Sequence, residues 1–494
     1  FLSIWQATRF PACRWALIGT CCLPGKKCIN YVNKALAIVS SLPWKDSSLL
    51  KPIRYPSNEA DIRLAQIAER RGDADPVLEN QVLEILEAVR HDGDQALIYY
   101  TRRFDSPGFD LQHLTAKQKE FESAREQVDP EFFDILRRAI DNIESFHQKQ
   151  LRHSYFSTSP DGTFLGQMVR PVDSAGLYIP GAKGGETPLI SSILMNGIPA
   201  KLAGVEDVAM VTPPRRDGSI NPHLLVAAGE VGINRIHKIG SAWAIAALAY
   251  GTPSVPSVDV IVGPGNIYVT LAKKIVAGTV GIDLLAGPSE ILVIADHSAQ
   301  PDFIAADLLS QAEHDTMASA ILITNDAQMA DWVRGSLEDR IRYLPRKETA
   351  NKALHQYGAI FLVDDLEEAA KLTNRIAPEH LEVQIEDPWP YIGKIKHAGA
   401  IFIGDYTPEP VGDYMAGPNH VLPTAGSARF ASALGVENFV KRTSVISYSK
   451  EALVRDARSI VRLAQLEGLD AHAESINVRM AKLNRVQKKE FEAS

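Results

Sequence analysis

Residues 53–150 carry a mostly helical pattern of hydrophobic and polar positions. In the segment DPVLENQVLEILEAVRHDGDQAL, Val77, Val82, Ile85 and Val89 recur mostly at steps of three or four among charged residues, and the pattern breaks at a glycine. This spacing places the apolar side chains on one face of a helix. We therefore predict amphipathic helices across this part of the chain.

The pattern changes at Ser174 to short apolar runs that end in Gly, Pro or Asp. A first series consists of AGLYIPG, DVAMVTPP, RIHKIG and VDVIVGPGN, and a second of EILVIAD, SAILITND, AIFLVDD and AIFIGD. Helical stretches such as 189–203 and 242–249 separate the runs. Continuous apolar strands that alternate with helices are typical of parallel sheets covered on both faces. The two series predict two α/β units, and a duplication would account for them.

Composition is that of a globular protein with room for several domains: 494 residues, 45% hydrophobic and 23% charged. The formal net charge of −8 argues against nucleic-acid binding as the main function. The chain has no run of about 18 apolar residues, so we expect no membrane span. All four cysteines lie at or before Cys28, which excludes a disulfide framework and a cysteine nucleophile in the body and fits a reducing compartment.

The first fifty residues differ from the rest, with six Lys or Arg against one acid, Asp46. A basic, acid-poor leader is compatible with a transit peptide or a signal sequence. A disordered tail, or upstream sequence included by mistake, fits equally well. By default we expect a cytoplasmic protein, and a plastid protein if residues 1–50 are a transit peptide.

In DLLSQAEHD a glutamine lies within the apolar face of a predicted helix. Ile304, Leu308 and Ala312 define a buried stripe, in which Gln311 falls, with His314 at its edge. A buried amide without partners costs roughly 1–3 kcal/mol. Gln311 is either a satisfied core residue or, with His314, faces a metal ion or a substrate.

Other motifs place polar groups at rigid junctions. In RIAPEHLE a proline stops a helix and presents Glu379 and His380, which could act as two proton-transfer groups. The turn GPSE brings Ser289 and Glu290 to the entrance of a strand, and GPGN ending at Asn266 offers a close-approach loop for a cofactor. Taken singly, each could be a mere turn.

A Gly- and Pro-rich loop at 404–428 carries Asp413 and His420, and its length favours a functional role. The helix that ends near Gly468 looks like an appended arm. In order along the chain, the segments IDLLAGPSEILVIAD, ADLLSQAEHD, APEHLE, GDYMAGPNHVLPT and EGLDAH closely resemble the histidinol dehydrogenase family. The resemblance covers roughly residues 53–485 and implies an enzyme that uses NAD⁺ and zinc to oxidise L-histidinol twice, through L-histidinal, to L-histidine.

The resemblance also implies roles for individual residues. Glu379 and His380 match the catalytic pair, in which His380 takes the alcohol proton and Glu379 activates water. The positions that match ligands of one zinc ion per subunit are Gln311, His314, Asp413 and His472. The positions that match substrate contacts are Ser289, Gln311, His314, His380, Asp413, Glu467 and His472.

Tyr178 and Asn266 match contacts to NAD⁺. Trp243 stands where better-known family members have glutamine, so a cofactor contact there is in doubt, and packing within its helix is the alternative. The resemblance further implies a homodimer in which a C-terminal arm crosses to the neighbour, so that Glu467 and His472 complete the partner's site.

For the fold we predict two Rossmann-like parallel-sheet α/β domains plus small N-terminal and C-terminal helical arm segments. A leader or non-native extension (1–50) precedes an N-terminal helical arm (51–75). The first α/β domain is discontinuous, 76–177 with 291–434, the second, on the NAD side, is 178–290, and the arm is 435–494.

Two other functions are compatible with the sequence. One is an NAD- and zinc-dependent dehydrogenase of the same fold that oxidises another small alcohol, for example a sulfonated diol. The other is a zinc-dependent hydrolase or a non-catalytic zinc-binding protein. Glu467 and the two histidine ligands favour an amino-alcohol substrate.

Overall fold

The computed structural model describes residues 50–70, 75–182 and 185–493, with side chains to 486. The predicted leader therefore lies outside the described residues except for Leu50. The helices, numbered in chain order, are α1 Asn58–Glu69, α2 Pro76–Asp92, α3 Asp94–Phe104, α4 Gln118–Gln127, α5 Pro130–His147, α6 Ile190–Ala203, α7 Pro222–Glu230, α8 Ser241–Tyr250, α9 Ile267–Val276, α10 Pro301–Ala312, α11 Ala327–Arg340, α12 Lys347–Tyr357, α13 Leu366–Ile376, α14 Trp389–Ile392, α15 Glu409–Tyr414, α16 Lys450–Leu466 and α17 Asp470–Ala493.

Strands alternate with these helices through the middle of the chain. They are β1 Ile53–Arg54, β2 Tyr155–Thr158, β3 Phe164–Pro171, β4 Ser174–Tyr178, β5 Gly181–Ala182, β6 Thr187–Pro188, β7 Asp207–Val211, β8 Arg235–His237, β9 Val260–Val262, β10 Gly281–Ile282, β11 Glu290–Ala295, β12 Ser319–Thr324, β13 Ala359–Leu362, β14 His380–Gln384, β15 Ala400–Ile403 and β16 Val440–Ser447.

The first large sheet is parallel and has the strand order β10-β9-β4-β7-β8. The chain starts at the central strand β4, moves outward through β7 and β8, and then returns to the other side of β4 to form β9 and β10. The order therefore reverses between β4 and β9. In open α/β sheets this switch point is where ligands bind, beyond the carboxyl ends of the strands.

The second large sheet, also parallel, has the order β1-β13-β12-β11-β14-β15. Apart from β1 it repeats the path of the first sheet, starting at β11 and reversing between β11 and β14. Every residue of β11, β12 and β14 is buried. This burial explains the continuous apolar runs of β11 and β12, whereas β14 has the sequence HLEVQ and is not among the predicted runs. The predicted fold class of two Rossmann-like parallel-sheet α/β units is confirmed.

Residues 76–147 pack against helices of the five-stranded sheet. Val82 and Leu86 of α2 share a hydrophobic cluster with Leu248 of α8, and Ile143 of α5 shares another with Leu194 of α6. The predicted grouping of 76–177 with 291–434 therefore differs from the observed packing. The sequence pattern defined the apolar face of each helix, but it carried no signal for which sheet that face would cover.

The C-terminal segment stands apart from both large sheets. Strand β16 pairs with β3 in a three-stranded antiparallel sheet, and α16 packs along α17. Several large apolar side chains of this arm are exposed, including Ile446, Leu463 and Leu466. Over the part of the chain that the structure describes, no helix combines the length and apolar character needed to span a bilayer.

Candidate active site

Glu379 and His380 lie at the junction that the sequence predicted. Helix α13 ends at Ile376, Ala377 takes a left-handed conformation (φ 53°), and β14 begins at His380. Pro378 between them disfavours helical continuation. Both side chains are buried within the protein, at 8% and 3% exposure. The acid and the imidazole are thus fixed by a buried corner of the second sheet.

The main chain of Glu290 holds both groups. Its N–H donates to Oε2 of Glu379 (2.9 Å), and its carbonyl oxygen lies 2.8 Å from Nδ1 of His380. Because a carbonyl can only accept, Nδ1 of His380 carries the hydrogen. In the neutral ring Nε2 is therefore unprotonated. His380 is arranged to accept a proton at Nε2.

A third residue, His420, contacts Nε2 of His380. Nε2 of His420 lies 3.0 Å from Nε2 of His380 and 2.8 Å from Oε1 of Glu409. Ligand atoms of His380, Glu409 and His420 all lie within 4.8 Å of one another, close enough to hold a metal ion. A cavity of about 840 Å³ reaches this cluster, with Phe402 and His420 in its wall.

Burial shifts the pKa values of Glu379 and His380 in opposite directions. It raises the pKa of the Glu379 carboxyl well above the usual range, with the nearby acids Glu290 and Glu409 adding to the effect. Burial also lowers the pKa of His380 to about 3, assisted by His420. His380 is therefore a neutral imidazole near neutral pH, as a proton acceptor must be.

Three of the predicted metal ligands are buried or interact electrostatically with this cluster. Gln311 is 1% exposed, and its Oε1 has no hydrogen-bond partner among the described residues. His314, two residues after the end of the same helix, interacts electrostatically with both His380 and Glu409. Asp413 lies one turn after Glu409 on α15; burial raises its pKa, and it also interacts electrostatically with His420.

The remaining predicted substrate residues fall into two groups. Ser289 is half-buried immediately before Glu290, at the same edge of the second sheet. Glu467 and His472 are exposed on the C-terminal arm, at the end of α16 and on α17. Within the described residues neither side chain has a hydrogen bond or ion pair to the cluster around His380.

The two predicted cofactor residues lie at the carboxyl edge of the first sheet, on either side of its switch point. Tyr178 ends β4 and is buried, and its hydroxyl accepts a hydrogen bond from the N–H of Ser241 (3.1 Å). Asn266 follows β9 and is exposed, and its Oδ1 caps α9. Its amide nitrogen donates no hydrogen bond among the described residues.

A buried ion pair stabilises the loop that begins at Gly263 and leads to Asn266. Nζ of Lys273 donates to the carbonyl oxygen of Gly263 (3.0 Å), and the N–H of Gly263 donates to Asp283 (2.8 Å). Lys273 and Asp283 pair with each other, and both side chains are buried. At Gly263 (φ 116°) a Cβ would lie 2.2 Å from the carbonyl oxygen of Tyr178. Only glycine therefore fits the start of GPGN.

Trp243 occupies a packing position. Its indole stacks on the rings of Tyr100 and Phe104, with centroids 5.8 and 5.7 Å away. Its Nε1–H donates to Oγ1 of Thr101 (3.2 Å), and the residue is 4% exposed. The only hydrogen that indole can donate is thus already used.

Comparison with known proteins identifies the family. The family described as histidinol dehydrogenase matches residues 68–480. The histidinol dehydrogenase of Desulfotalea psychrophila is 54% identical over 432 residues, 87% of this chain and 100% of the relative, and that of Carboxydothermus hydrogenoformans is 51% identical over 412 residues, 83% and 96%. The chain belongs to the histidinol dehydrogenase family. The crystal structure of histidinol dehydrogenase from Elizabethkingia anophelis has a TM-score of 0.82 and 37% identity, covering 89% of this chain and 100% of that one.

Membership in the histidinol dehydrogenase family places the chain among oxidoreductases. Against that background, the sequence predictions missed two members of the central cluster. His420 was noted only as a polar residue of a long loop, and Glu409, in the same loop, was not singled out. Their polar character in a Gly- and Pro-rich segment was the available signal, but it did not indicate contact with His380.

Proposed function

We propose that this protein oxidises L-histidinol to L-histidine through L-histidinal, with NAD⁺ as hydride acceptor and zinc as the bound metal. The observation that carries the proposal is the arrangement of His380. Its Nδ1 donates to the carbonyl oxygen of Glu290 and lies 3.6 Å from Oε2 of Glu379, so its unprotonated Nε2, which faces His420, is the atom that can take a proton. Family membership supports the choice of substrate.

In the first oxidation the alcohol proton passes to Nε2 of His380 and the hydride from carbon passes to NAD⁺. In the second, water adds to the aldehyde carbon while Glu379 takes a proton from that water, and the resulting hydrate anion gives a second hydride to another NAD⁺ to form the carboxylic acid. The body of the chain contains no cysteine, so a covalent thiol adduct has no nucleophile there. Hydration of the aldehyde fits that composition.

The chemistry of the side chains fits zinc. The unpartnered, buried oxygen of Gln311 needs a partner, and His314 and Asp413 supply imidazole and carboxylate ligands nearby. In our proposal these three residues hold the ion together with His472 of the partner subunit. When bound, zinc would orient the imidazole and amino nitrogens of the substrate.

We place NAD⁺ at the carboxyl edge of the first sheet, against Tyr178 and Asn266. The support is the switch point between β4 and β9, which is where a doubly wound sheet binds a dinucleotide. Trp243 contributes packing to this half through its contacts with Tyr100 and Phe104. We assign it no direct cofactor contact.

We further propose a homodimer in which the C-terminal arm crosses to the neighbour. The exposed apolar side chains of the arm, such as Leu463 and Leu466, are what a partner surface would cover. Glu467 would then meet the substrate ammonium in the partner's site, where opposite charge favours binding.

A mixed-dimer experiment tests the crossing. Glu379→Gln and His472→Asn variants should each be poorly active, but refolding them together should restore turnover, because one of the two hybrid sites then has both native residues. If each arm served its own subunit, no hybrid site would be intact. Activity that stays at the level of the separate variants would contradict the crossing.

The reaction itself is tested by stoichiometry. Purified protein with L-histidinol and excess NAD⁺ should yield about two NADH per substrate, since each oxidation delivers one hydride. Removal of zinc by a chelator should abolish turnover, and added zinc should restore it. One NADH with release of an aldehyde would contradict the two-step scheme, and turnover of a sulfonated diol but not histidinol would favour the other same-fold dehydrogenase.

We expect the enzyme to work in the cytoplasm, or in a plastid if residues 1–50 are a transit peptide. Mass spectrometry of the mature N-terminus from source cells distinguishes the two. A terminus near residue 50 in a plastid fraction would support the transit peptide.

A further inference from the structure

A buried ion pair outside the proposed chemistry joins Arg70 to Glu290. Nη2 of Arg70 lies 2.5 Å from Oε1 of Glu290, and the two side chains are 2% and 4% exposed. Arg70 caps α1, the helix of the predicted N-terminal arm. Its Nε donates to the carbonyl oxygen of Ile67 (3.0 Å) and its Nη1 to that of Met317 (3.0 Å). The guanidinium group is therefore fixed by three acceptors.

Glu290 is the residue whose peptide groups hold the catalytic pair. Its N–H binds the Glu379 carboxylate and its carbonyl oxygen binds the His380 ring, on either side of one α-carbon. The side chain of the same residue forms the ion pair with Arg70. Any shift of the Glu290 side chain is thus transmitted to both catalytic groups at once.

We propose that Arg70 is a positioning residue for Glu379 and His380, acting through the Glu290 side chain and main chain. This inference rests on the proposed function for its kinetic consequence. It assigns the N-terminal arm a role in catalysis, although no residue of that arm carries a catalytic group. Lysine could keep the charge of Arg70, but it lacks the planar fork that reaches three separate acceptors.

A purely structural role would look different. Loss of one partner of a buried ion pair leaves an unpaired charge and destabilises the fold wherever the pair lies. Removal of both charges together relieves that penalty but does not restore the anchor on Glu290. Stability and turnover therefore respond differently to the double variant.

The experiment compares Arg70→Met, Glu290→Gln and the double variant with the wild-type holoenzyme. We expect kcat per folded, zinc-loaded enzyme to fall about 10- to 100-fold with L-histidinol and with L-histidinal, as for other residues that orient catalytic groups. The KM for NAD⁺ should be unchanged, because the cofactor residues lie on the other sheet. In the double variant the melting temperature should recover while kcat stays low.

Arg63→Met is the matched control. Arg63 lies on the same helix and binds main-chain oxygens of Leu354 and Gly358, but it does not contact Glu290. This variant should lose stability and keep its kcat. The proposal is overturned if Arg70→Met keeps the wild-type kcat, or if kcat of the double variant recovers together with its melting temperature.

A crystal structure of Arg70→Met provides a readout that does not depend on the substrate. We expect displacement of Glu290 together with the Glu379 carboxylate and the His380 ring. Unchanged positions of these groups would overturn the positioning role. If the wild-type enzyme failed to oxidise histidinol, the proposed function would fall, whereas displacement in this structure would still support the role of Arg70.

Discussion

The Nε2 atoms of His380 and His420 lie 3.0 Å apart and face each other across the site. Because Nδ1 of His380 carries a hydrogen, its neutral Nε2 can only accept, so the hydrogen between the rings belongs to His420. The same nitrogen of His420 lies 2.8 Å from Glu409. His420 therefore shares one N–H between a base and a carboxylate, and it fixes the direction in which His380 points.

Substitution of His420 should impair turnover without removing the base. We expect His420→Asn to lower kcat about 10- to 100-fold, because an orienting partner of the reacting group is lost. Steady-state NADH formation provides the measurement, and His297→Asn, a change at an exposed histidine, is the control. A wild-type kcat in His420→Asn would contradict the assigned contact.

Glu379→Gln should separate the two oxidations. The amide keeps the shape of the side chain but cannot take a proton from water, so the alcohol step should persist while the aldehyde step slows by about 10²- to 10⁴-fold. Trapping of free aldehyde during turnover detects the accumulated L-histidinal. Glu386→Gln, at an exposed acid, should release none; equal loss of both oxidations in Glu379→Gln would show that the residue also serves the first.

His314→Asn should weaken the retention of zinc. The variant removes an imidazole three residues along the chain from Gln311, whose buried Oε1 has no partner among the described residues. Loss of one ligand of the proposed four-coordinate site should sharply lower its affinity for zinc. Metal analysis after dialysis against a chelator gives the zinc content per subunit. We expect full zinc in the His297→Asn control and a deficit in His314→Asn; equal contents would remove His314 from the ligand set.

Asp283→Asn should weaken cofactor binding through the loop at Gly263. Lys273 would keep its charge in a buried position without a carboxylate, which costs roughly 3–5 kcal/mol of stability. A displacement of the loop by only about 1 Å should raise the KM for NAD⁺ about tenfold or more. Lys274→Met, at the neighbouring half-exposed lysine, should change neither quantity. An unchanged KM for NAD⁺ in folded Asp283→Asn would argue that the ion pair serves stability alone.

His237 should make the fold sensitive to acid. Burial lowers its pKa to about 4, with Arg235 contributing, and its Nε2 has no partner among the described residues. The unfolded chain, with a pKa near 6.5, binds more protons between these values, so the stability from this group is present above pH 6.5 and is lost as the pH falls towards 4, by no more than roughly 3 kcal/mol.

Denaturant unfolding of wild type and His237→Gln at several pH values measures this contribution. Glutamine can keep the hydrogen bond to Thr115 but does not titrate. The stability difference between the two proteins should therefore change between pH 6.5 and 4, in the direction that favours the variant at low pH. A constant difference would rule out His237 as the source.

The sequence was most informative where the chemistry is local. The eight apolar runs predicted eight of the parallel strands, but not β1, β10 or β14. The position of Gln311 within an apolar helix face predicted either a satisfied core residue or one that faces a ligand, and its buried Oε1 has no partner among the described residues. The corner at Pro378 likewise located Glu379 and His380. In each case the signal lies within one helix or one turn, so the pattern of a few residues contains it.

Contacts between distant segments could not be predicted in the same way. Arg70 and Glu290 form an ion pair although they are 220 residues apart in the sequence. The helices within residues 76–147 pack against the first sheet through surface complementarity that a local sequence pattern does not contain. The stacking of Trp243 on Tyr100 and Phe104 is another such contact. Such contacts depend on the packing of whole elements.

The two sheets share one strand order, and this has a consequence for which substitutions such a protein can tolerate. The first sheet presents Tyr178 and Asn266 at its carboxyl edge, while the second presents Glu290 and His380 at the amino ends of its strands. In the proposed function, dinucleotide recognition and proton transfer would therefore rest on separate halves with separate hydrophobic cores. Substitutions such as the one at Trp243 can accumulate in one half and leave the reacting groups of the other undisturbed.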